Sequence, residues 1–443
     1  MMNAQVSVED KASLEKVVFE INNGHPANAL KISAALADKN PQSPEVLTAH
    51  GLALLDCGEY LKAQALFERA VKLDSDNPDA HLGLGELASG RLLLDKASGH
   101  LEKAVASSYF KLRAFQSYGK CLHDLNRHAE AKKVLERALT EVDQMPEREK
   151  TRIMNSIKIY AALGNTPLYQ IPDPFRTTSV GFSTYENNII MPAELNGQES
   201  VKIQLDTGMP GGLAISQALA EKLGLDVIGE EIGGNVAREY KTKVALIDSL
   251  RIGDLVVRNV LVYSLPEPKF VGGSDGNLGL AIFKKMNMSI DYPQSKLFLF
   301  NRDESGLQSG RMDSSKISEK IPFWNKNHIL VFARINDMEP TPLMFDTGAS
   351  VPVLNLDYYL DHIDPKAQVP TPEEGQPKAL PFTMKSLAIG GLTFTQVFSI
   401  ALDLSFIFEA GKMHYPGIIG ASVFQASIVH INFADSVMFI EKK

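Results

Sequence analysis

Two textures divide the chain. Up to Leu163, apolar residues recur at helical spacing, as in Leu47, Leu54, Leu61, Phe67 and Leu73, with polar residues between them. That is the pattern of helices that each bury one face. From Gly164 to Pro174 the chain reads GNTPLYQIPDP, with three prolines and no helical period, which predicts a boundary. Beyond it come short β-branched runs with turns between them: IIMPAEL, then Asn196-Gly197, then SVKIQL. Asn-Gly between two such runs predicts a hairpin, because both residues tolerate the positive φ of a tight reversal.

The helical part repeats. Gly51, Gly85 and Gly119 are spaced by 34 residues, as are Ala63, Ala97 and Ala131, and Ala70, Ala104 and Ala138; Gly24 and Gly58 share a register. Small residues at a fixed period are what closely crossing helix pairs need. The pattern resembles the tetratricopeptide repeat family, with Gly51, Gly58, Tyr60, Ala63, Phe67 and Ala70 on its signature positions in the best repeat. Leu47 stands where the signature has tryptophan, and Ser75 where it has its late proline. The likeness covers roughly residues 10 to 145, about three repeats and a degenerate first one, with a capping helix expected around Glu147 to Leu163. The resemblance implies a concave groove for a peptide or protein partner.

The second half is duplicated. Asp206 aligns with Asp346, 140 residues on, and Ile189-Ile190 with Ile329-Leu330. SLRIGDLVVRNV (249–260) aligns with SLAIGGLTFTQV (386–397), and GNLGLAIF (276–283) with GIIGASVF (417–424). IDYPQSKLFL falls over INFADSVMFI. The offset drifts by only a few residues, so two lobes of one design follow each other. The expected organisation is a helical domain at 8–163, a Pro-rich linker at 164–180, lobe 1 at 181–303, an inter-lobe linker at 304–320 and lobe 2 at 321–443. The fold class is therefore a multidomain α and β chain, an α-solenoid followed by a mostly-β bilobal domain.

Each lobe carries one Asp-Thr-Gly after an apolar strand, IQLDTG at Asp206 and LMFDTG at Asp346. One such triplet is an ordinary turn sequence. Two at matching places, each followed by the GxxGxxxF run, resemble a bilobal aspartic protease with retropepsin-like, pepsin-like lobes fused in one chain, over Tyr185 to Lys443. Chemistry needs the pair because two carboxylates about 3 Å apart cannot both ionise and share a proton. The ionised one draws a proton from a water, and the protonated one donates to the developing oxyanion and then to the leaving amine. The resemblance implies an endopeptidase acting on a peptide or protein substrate, with Asp206 and Asp346 catalytic and no need for a dimer. It also implies that Thr207 and Thr347 cross-brace the loops, that Gly208 and Gly348 let backbone approach the carboxylates, and that Ala349 and Ser350 add support. Ile418-Ile419-Gly420 fits the family's hydrophobic-hydrophobic-glycine segment. Met209-Pro210-Gly211-Gly212 and Asn277-Leu278-Gly279 in lobe 1 depart from the pattern. These departures predict weaker support for Asp206 and leave open a lobe pair that binds an extended peptide without cutting it.

Substrate is expected beneath hairpin flaps. One candidate is Glu230 to Lys243, with Gly233-Gly234 at its tip and Tyr240 against substrate; the other lies between Ile363 and Met384, a stretch with five prolines. An ordinary surface loop is the alternative for both. Net charge, 45 Lys and Arg against 53 Asp and Glu, with no basic stripe, predicts no nucleic-acid partner. No apolar run is long enough for a membrane span. The polar start MMNAQVSVEDKASLEK reads as no signal peptide, and a trimmed leader, hence a periplasmic or secreted location, stays open. Two cysteines, Cys57 and Cys121, and ten scattered histidines predict no disulfide framework, no metal and no cofactor. His414 and His430 read as structural, no Lys follows the glycines of Gly272-Gly273-Ser274-Asp275-Gly276, and no GxSxG is present.

Overall fold

A computed structural model describes residues 7–173, 175–234, 239–266, 270–301, 312, 315–325, 327–372, 377–404 and 415–442. The chain divides into two compact units near Asn165 and Thr166, two residues past the expected end of the helical domain.

Among the described residues, the first unit holds four helical hairpins and a final helix: Val8–Asn22 with Pro26–Lys39, Pro44–Asp56 with Tyr60–Leu73, Pro78–Gly90 with Leu94–Ala104, Lys111–Asp124 with His128–Glu141, and then Glu147–Leu163. Local chemistry sets the starts. Ser43 and Asn77 side chains accept from the N–H of Val46 and Ala80, and Pro44 and Pro78 sit in the first turn, where a missing N–H costs nothing. Gly24 and Gly58 turn between helices at φ 77° and 83°, a conformation that favours glycine. The first hairpin, degenerate as sequence, is complete as structure. Leu61 and Leu73, part of the apolar period, are 75% and 40% exposed; the buried stripe of their helix is Tyr60, Ala63, Phe67 and Ala70.

The 34-residue period has a packing cause. Each periodic glycine faces a large residue of the next helix, also at period 34: Gly51 meets Phe67, Gly85 meets Leu101 and Gly119 meets Leu135. A Cβ added at these glycines would lie 2.6, 2.6 and 2.7 Å from its neighbour. Phe67 cannot retreat, because Gly83 presses its ring from another side. Gly51→Ala is therefore expected to destabilise the helical unit by about 1–2 kcal/mol, the overpacking cost exceeding the roughly 1 kcal/mol that alanine gains as a helix former. Urea unfolding of the full chain followed by far-UV circular dichroism checks it, and a gain in stability would refute it.

The second unit is built of two curled sheets and a shared one. In lobe 1, Asn188–Leu195, Glu199–Leu205, Gly276–Leu278, Leu213–Ser216, Leu255–Leu265 and Glu239–Ile252 neighbour one another in that order, and the last pairs back to the first. Lobe 2 repeats this with Ile329–Ile335, Thr341–Asp346, Gly417–Gly420, Val353–Asn355, Leu392–Leu402 and Ala379–Ile389. The hairpin turns match too. Asn196 and Asn336 take φ of 53° and 52°, and their side-chain oxygens accept from Ser249 N–H and Ser386 N–H, both at 3.1 Å. Between the lobes runs a six-stranded antiparallel sheet: Thr177–Gly181, Lys296–Asn301, Met286–Asp291, Ser427–Asn432, Val437–Lys442 and Ile317–Asn325.

Two stretches expected as linkers contribute to this architecture. Thr177–Gly181 is a strand with Thr178 and Val180 buried, and Gln170 exchanges backbone bonds of 3.0 and 2.8 Å with Arg258 of lobe 1. The second linker ends inside the strand Ile317–Asn325. His430 lies buried in the shared sheet, its Nδ1 2.7 Å from Ser289 Oγ, and burial pushes its imidazole down to about 4. His414 lies outside the described residues. No described helix is long and apolar enough to cross a membrane.

Candidate active site

Each Asp-Thr-Gly begins where a strand ends against a short parallel partner. Leu205 pairs with Leu278 and Asp346 with Gly420, and Asp206 N–H donates to Leu278 O at 3.0 Å. The glycine of that partner lets the chain cross beneath the loop. A Cβ at Gly279 would meet Met209 O at 2.8 Å, and one at Gly420 would meet Ala349 O at 2.8 Å. Leu280 N–H donates to Met209 O at 2.7 Å and Ala421 N–H to Ala349 O at 2.8 Å. Met209 and Ala349 thus hold equivalent backbone positions despite their different side chains.

The threonines join the loops reciprocally. Thr207 N–H donates to Thr347 Oγ1 at 3.1 Å and Thr347 N–H to Thr207 Oγ1 at 3.0 Å. Thr207 Oγ1 donates to Phe345 O at 3.1 Å and Thr347 Oγ1 to Leu205 O at 2.8 Å. Both side chains are wholly buried, so these bonds compete with no water. They bring the two carboxylates together. Gly208 N–H and Gly348 N–H donate to Asp346 Oδ1 at 3.0 and 2.7 Å. A Cβ at Gly348 would sit 2.6 Å from Asp206 Oδ1, and one at Gly208 would overlap the Asp346 carboxyl group.

Burial raises both carboxyl groups above their ordinary range, and for Asp346 the charge of Asp206 adds to it, pushing it up to about 7. The Asn277 amide pulls Asp206 back down. The pair titrates as a unit and holds one proton over the range between its two steps.

Five polar residues complete the surroundings, and the sequence did not single out four of them as such. Asn277, expected to weaken support for Asp206, instead donates from Nδ2 to Asp206 Oδ2 at 2.9 Å. Asn188 Nδ2 donates to Ser350 Oγ at 2.9 Å and its Oδ1 accepts from Gln204 Nε2 at 3.1 Å, a path from lobe 1 to the second loop. His328 is buried and hydrogen-bonds the Gly208 backbone; burial, with Lys284 adding, lowers its imidazole to about 4, so it is neutral. Asn188 and His328 are 140 positions apart, the offset of the two aspartates, and that shared register was the available signal. Tyr292 is also buried, and burial together with the charge of Asp346 raises its phenol.

Of the flap residues, Gly233 and Gly234 lie in the strand Val227–Gly234, opposite Tyr240 and Glu239. The tip of this hairpin, 235–238, and the side chain of Tyr240 fall outside the described residues. The second candidate forms no hairpin of its own among the described residues. Between the helix Leu356–His362 and the strand Ala379–Ile389 its described residues form no strand or helix, since prolines at 365, 370, 372 and 377 lack the N–H a ladder needs.

Family models of two kinds match parts of the chain. Residues 191–282 match the aspartyl protease family model, a span that includes Asp206 and ends before Asp346. Residues 51–88 and 112–141 match tetratricopeptide repeat models. Among solved structures, the aspartic proteinase from Irpex lacteus is similar at 11% identity and a TM-score of 0.39, covering 60% of this chain and 97% of that one. No curated protein matches. The chain carries an aspartyl protease domain preceded by tetratricopeptide repeats, and that domain supports a protease function.

Proposed function

We propose that the chain is an aspartic endopeptidase that hydrolyses peptide bonds with a water activated between Asp206 and Asp346. The observation that carries this reading is the pair of half-buried carboxylates whose loops are locked together by reciprocal bonds of two buried threonines. The ionised carboxylate takes a proton from the water as it attacks the carbonyl carbon. The protonated one donates to the oxyanion, and the diol then collapses with a proton passing to the leaving amine. Thr207, Gly208, Thr347, Gly348, Ala349 and Ser350 hold the carboxylates, and the hairpin carrying Gly233, Gly234 and Tyr240 covers the substrate. Both carboxylates come from one chain, so the site needs no second copy. The helical repeats serve to bind a protein partner or present substrate.

The test is cleavage of a diverse peptide mixture by the full chain between pH 3 and 8, beside Asp206→Asn. Cuts are expected in the wild type alone, with a bell-shaped profile. Activity falls as pH rises through the upper step near 7, where the second carboxyl ionises, and falls again at acid pH, where both are protonated. Peptides retained intact at every pH by a folded chain would overturn the peptidase reading in favour of a binding module.

A further inference from the structure

A twofold-related pair of carboxylates has two equivalent places for its proton, so any preference must come from an element that breaks the symmetry. Most of the site does not break it. The threonine bonds are reciprocal, backbone N–H groups lie against both carboxyl groups (Gly208 and Met209 beside Asp206, Gly208 and Gly348 donating to Asp346 Oδ1), and Ser350 and His328 are bound at the loops rather than at the carboxylates. Asn277 does break it. Its Nδ2 donates to Asp206 Oδ2 at 2.9 Å. The matching position in lobe 2 is Ile418, paired with Met344 as Asn277 pairs with Gln204, and an isoleucine donates nothing. We propose that Asn277 is a positioning residue that keeps Asp206 as the ionised member of the dyad and so leaves the shared proton on Asp346.

Two facts support this. An N–H donor favours a charged acceptor over a protonated one, and the Asn277 amide already donates to Asp206 Oδ2. The far side of the amide decides its orientation. Asn277 Oδ1 is buried with no hydrogen-bond partner among the described residues. Turning the amide over to accept from a protonated Asp206 would bury the NH2 group there instead, with two donors unmet rather than one acceptor. The arrangement with Asp206 charged leaves less unsatisfied.

The proposal rests on the Asp206/Asp346 reading but is tested without substrate, so the two can fail separately. The measurement is carboxyl titration by carbon NMR in the full chain labelled at aspartate γ-carbon, with Asp206→Asn and Asp346→Asn assigning the pair. The lower step is expected at Asp206. Asn277→Ile, which copies lobe 2, and Asn277→Ala, which removes the amide without adding bulk, are each expected to raise the Asp206 midpoint by about one pH unit. Where the chain cleaves peptides, the acid limb of the cleavage profile moves with it. A purely structural Asn277 would lower the melting temperature and leave the midpoint in place. An unmoved Asp206 midpoint in both variants, or a lower step belonging to Asp346, overturns the proposal. Absence of cleavage with a shifted midpoint would instead count against the peptidase reading alone.

Discussion

Asp346→Asn is expected to cut peptide cleavage by about 10³-fold or more and, at pH 8, to raise the melting temperature of the protease unit. The loss of activity follows because an amide has no proton to give the oxyanion and recover. The gain in stability follows from the same burial that equips the site. Asp346 is held up to about 7 by burial and by the charge of Asp206, whereas an unfolded chain returns it to the ordinary carboxylate range near 4. The folded state thus binds this proton more tightly than the unfolded state does. Rising pH costs stability from about 4 upward, and above about 7 the full cost is present. Asparagine keeps the shape and can still accept from Gly208 N–H and Gly348 N–H, but carries no charge to bury. The difference is of order 2–4 kcal/mol at pH 8, several degrees in a unit of this size. It closes below about pH 4, where both states of the wild-type residue are protonated. Scanning calorimetry at pH 4 and pH 8 decides it: a variant that melts below the wild type at pH 8 would show that Asp346 is not held protonated by its surroundings.

Thr347→Val should destabilise the same unit by about 3 kcal/mol and slow cleavage with it. Valine matches threonine in shape, so packing is preserved and the test isolates the hydroxyl. Without it, Leu205 O loses its donor and Thr207 N–H its acceptor, in a place no water reaches. A buried group left unpaired costs about 1–3 kcal/mol, and here there are two. Thr347→Ser keeps both bonds and is expected to stay within about 1 kcal/mol of the wild type. Urea unfolding monitored in the near-ultraviolet separates the variants. Valine and serine variants of equal stability would mean that the reciprocal bonds do not hold the loops together.

The helical repeats were legible because their period has a simple physical origin. A glycine every 34 residues leaves room for Phe67, Leu101 or Leu135, and a steric requirement of that kind leaves a mark on the sequence at fixed spacing. The duplication of the lobes was legible for a related reason. Strand, turn and Asp-Thr-Gly recur together, and matched turns such as Asn196 and Asn336 keep the copies in register. What resisted reading was polar and far apart. Asn188 and Gln204 sit on strands where a polar side chain ordinarily faces water, His328 lies in the bend before one, and their partners lie in the opposite lobe or across a strand. Asn277 was read as a flaw because the expectation there was apolar; its amide is instead a donor to Asp206.

From the sequence alone come the two-part organisation, the repeated lobes and the pair of aspartates, all of them features of spacing along the chain. Only the tertiary structure decided that the stretches taken for linkers enter the sheets, that the Pro-rich segment after His362 makes no flap of its own among the described residues, and that an asparagine distinguishes one carboxylate from the other. Periodic packing repeats itself in one dimension, whereas a hydrogen bond between lobes joins positions as much as 163 residues apart and depends on a geometry that exists only after the chain has folded.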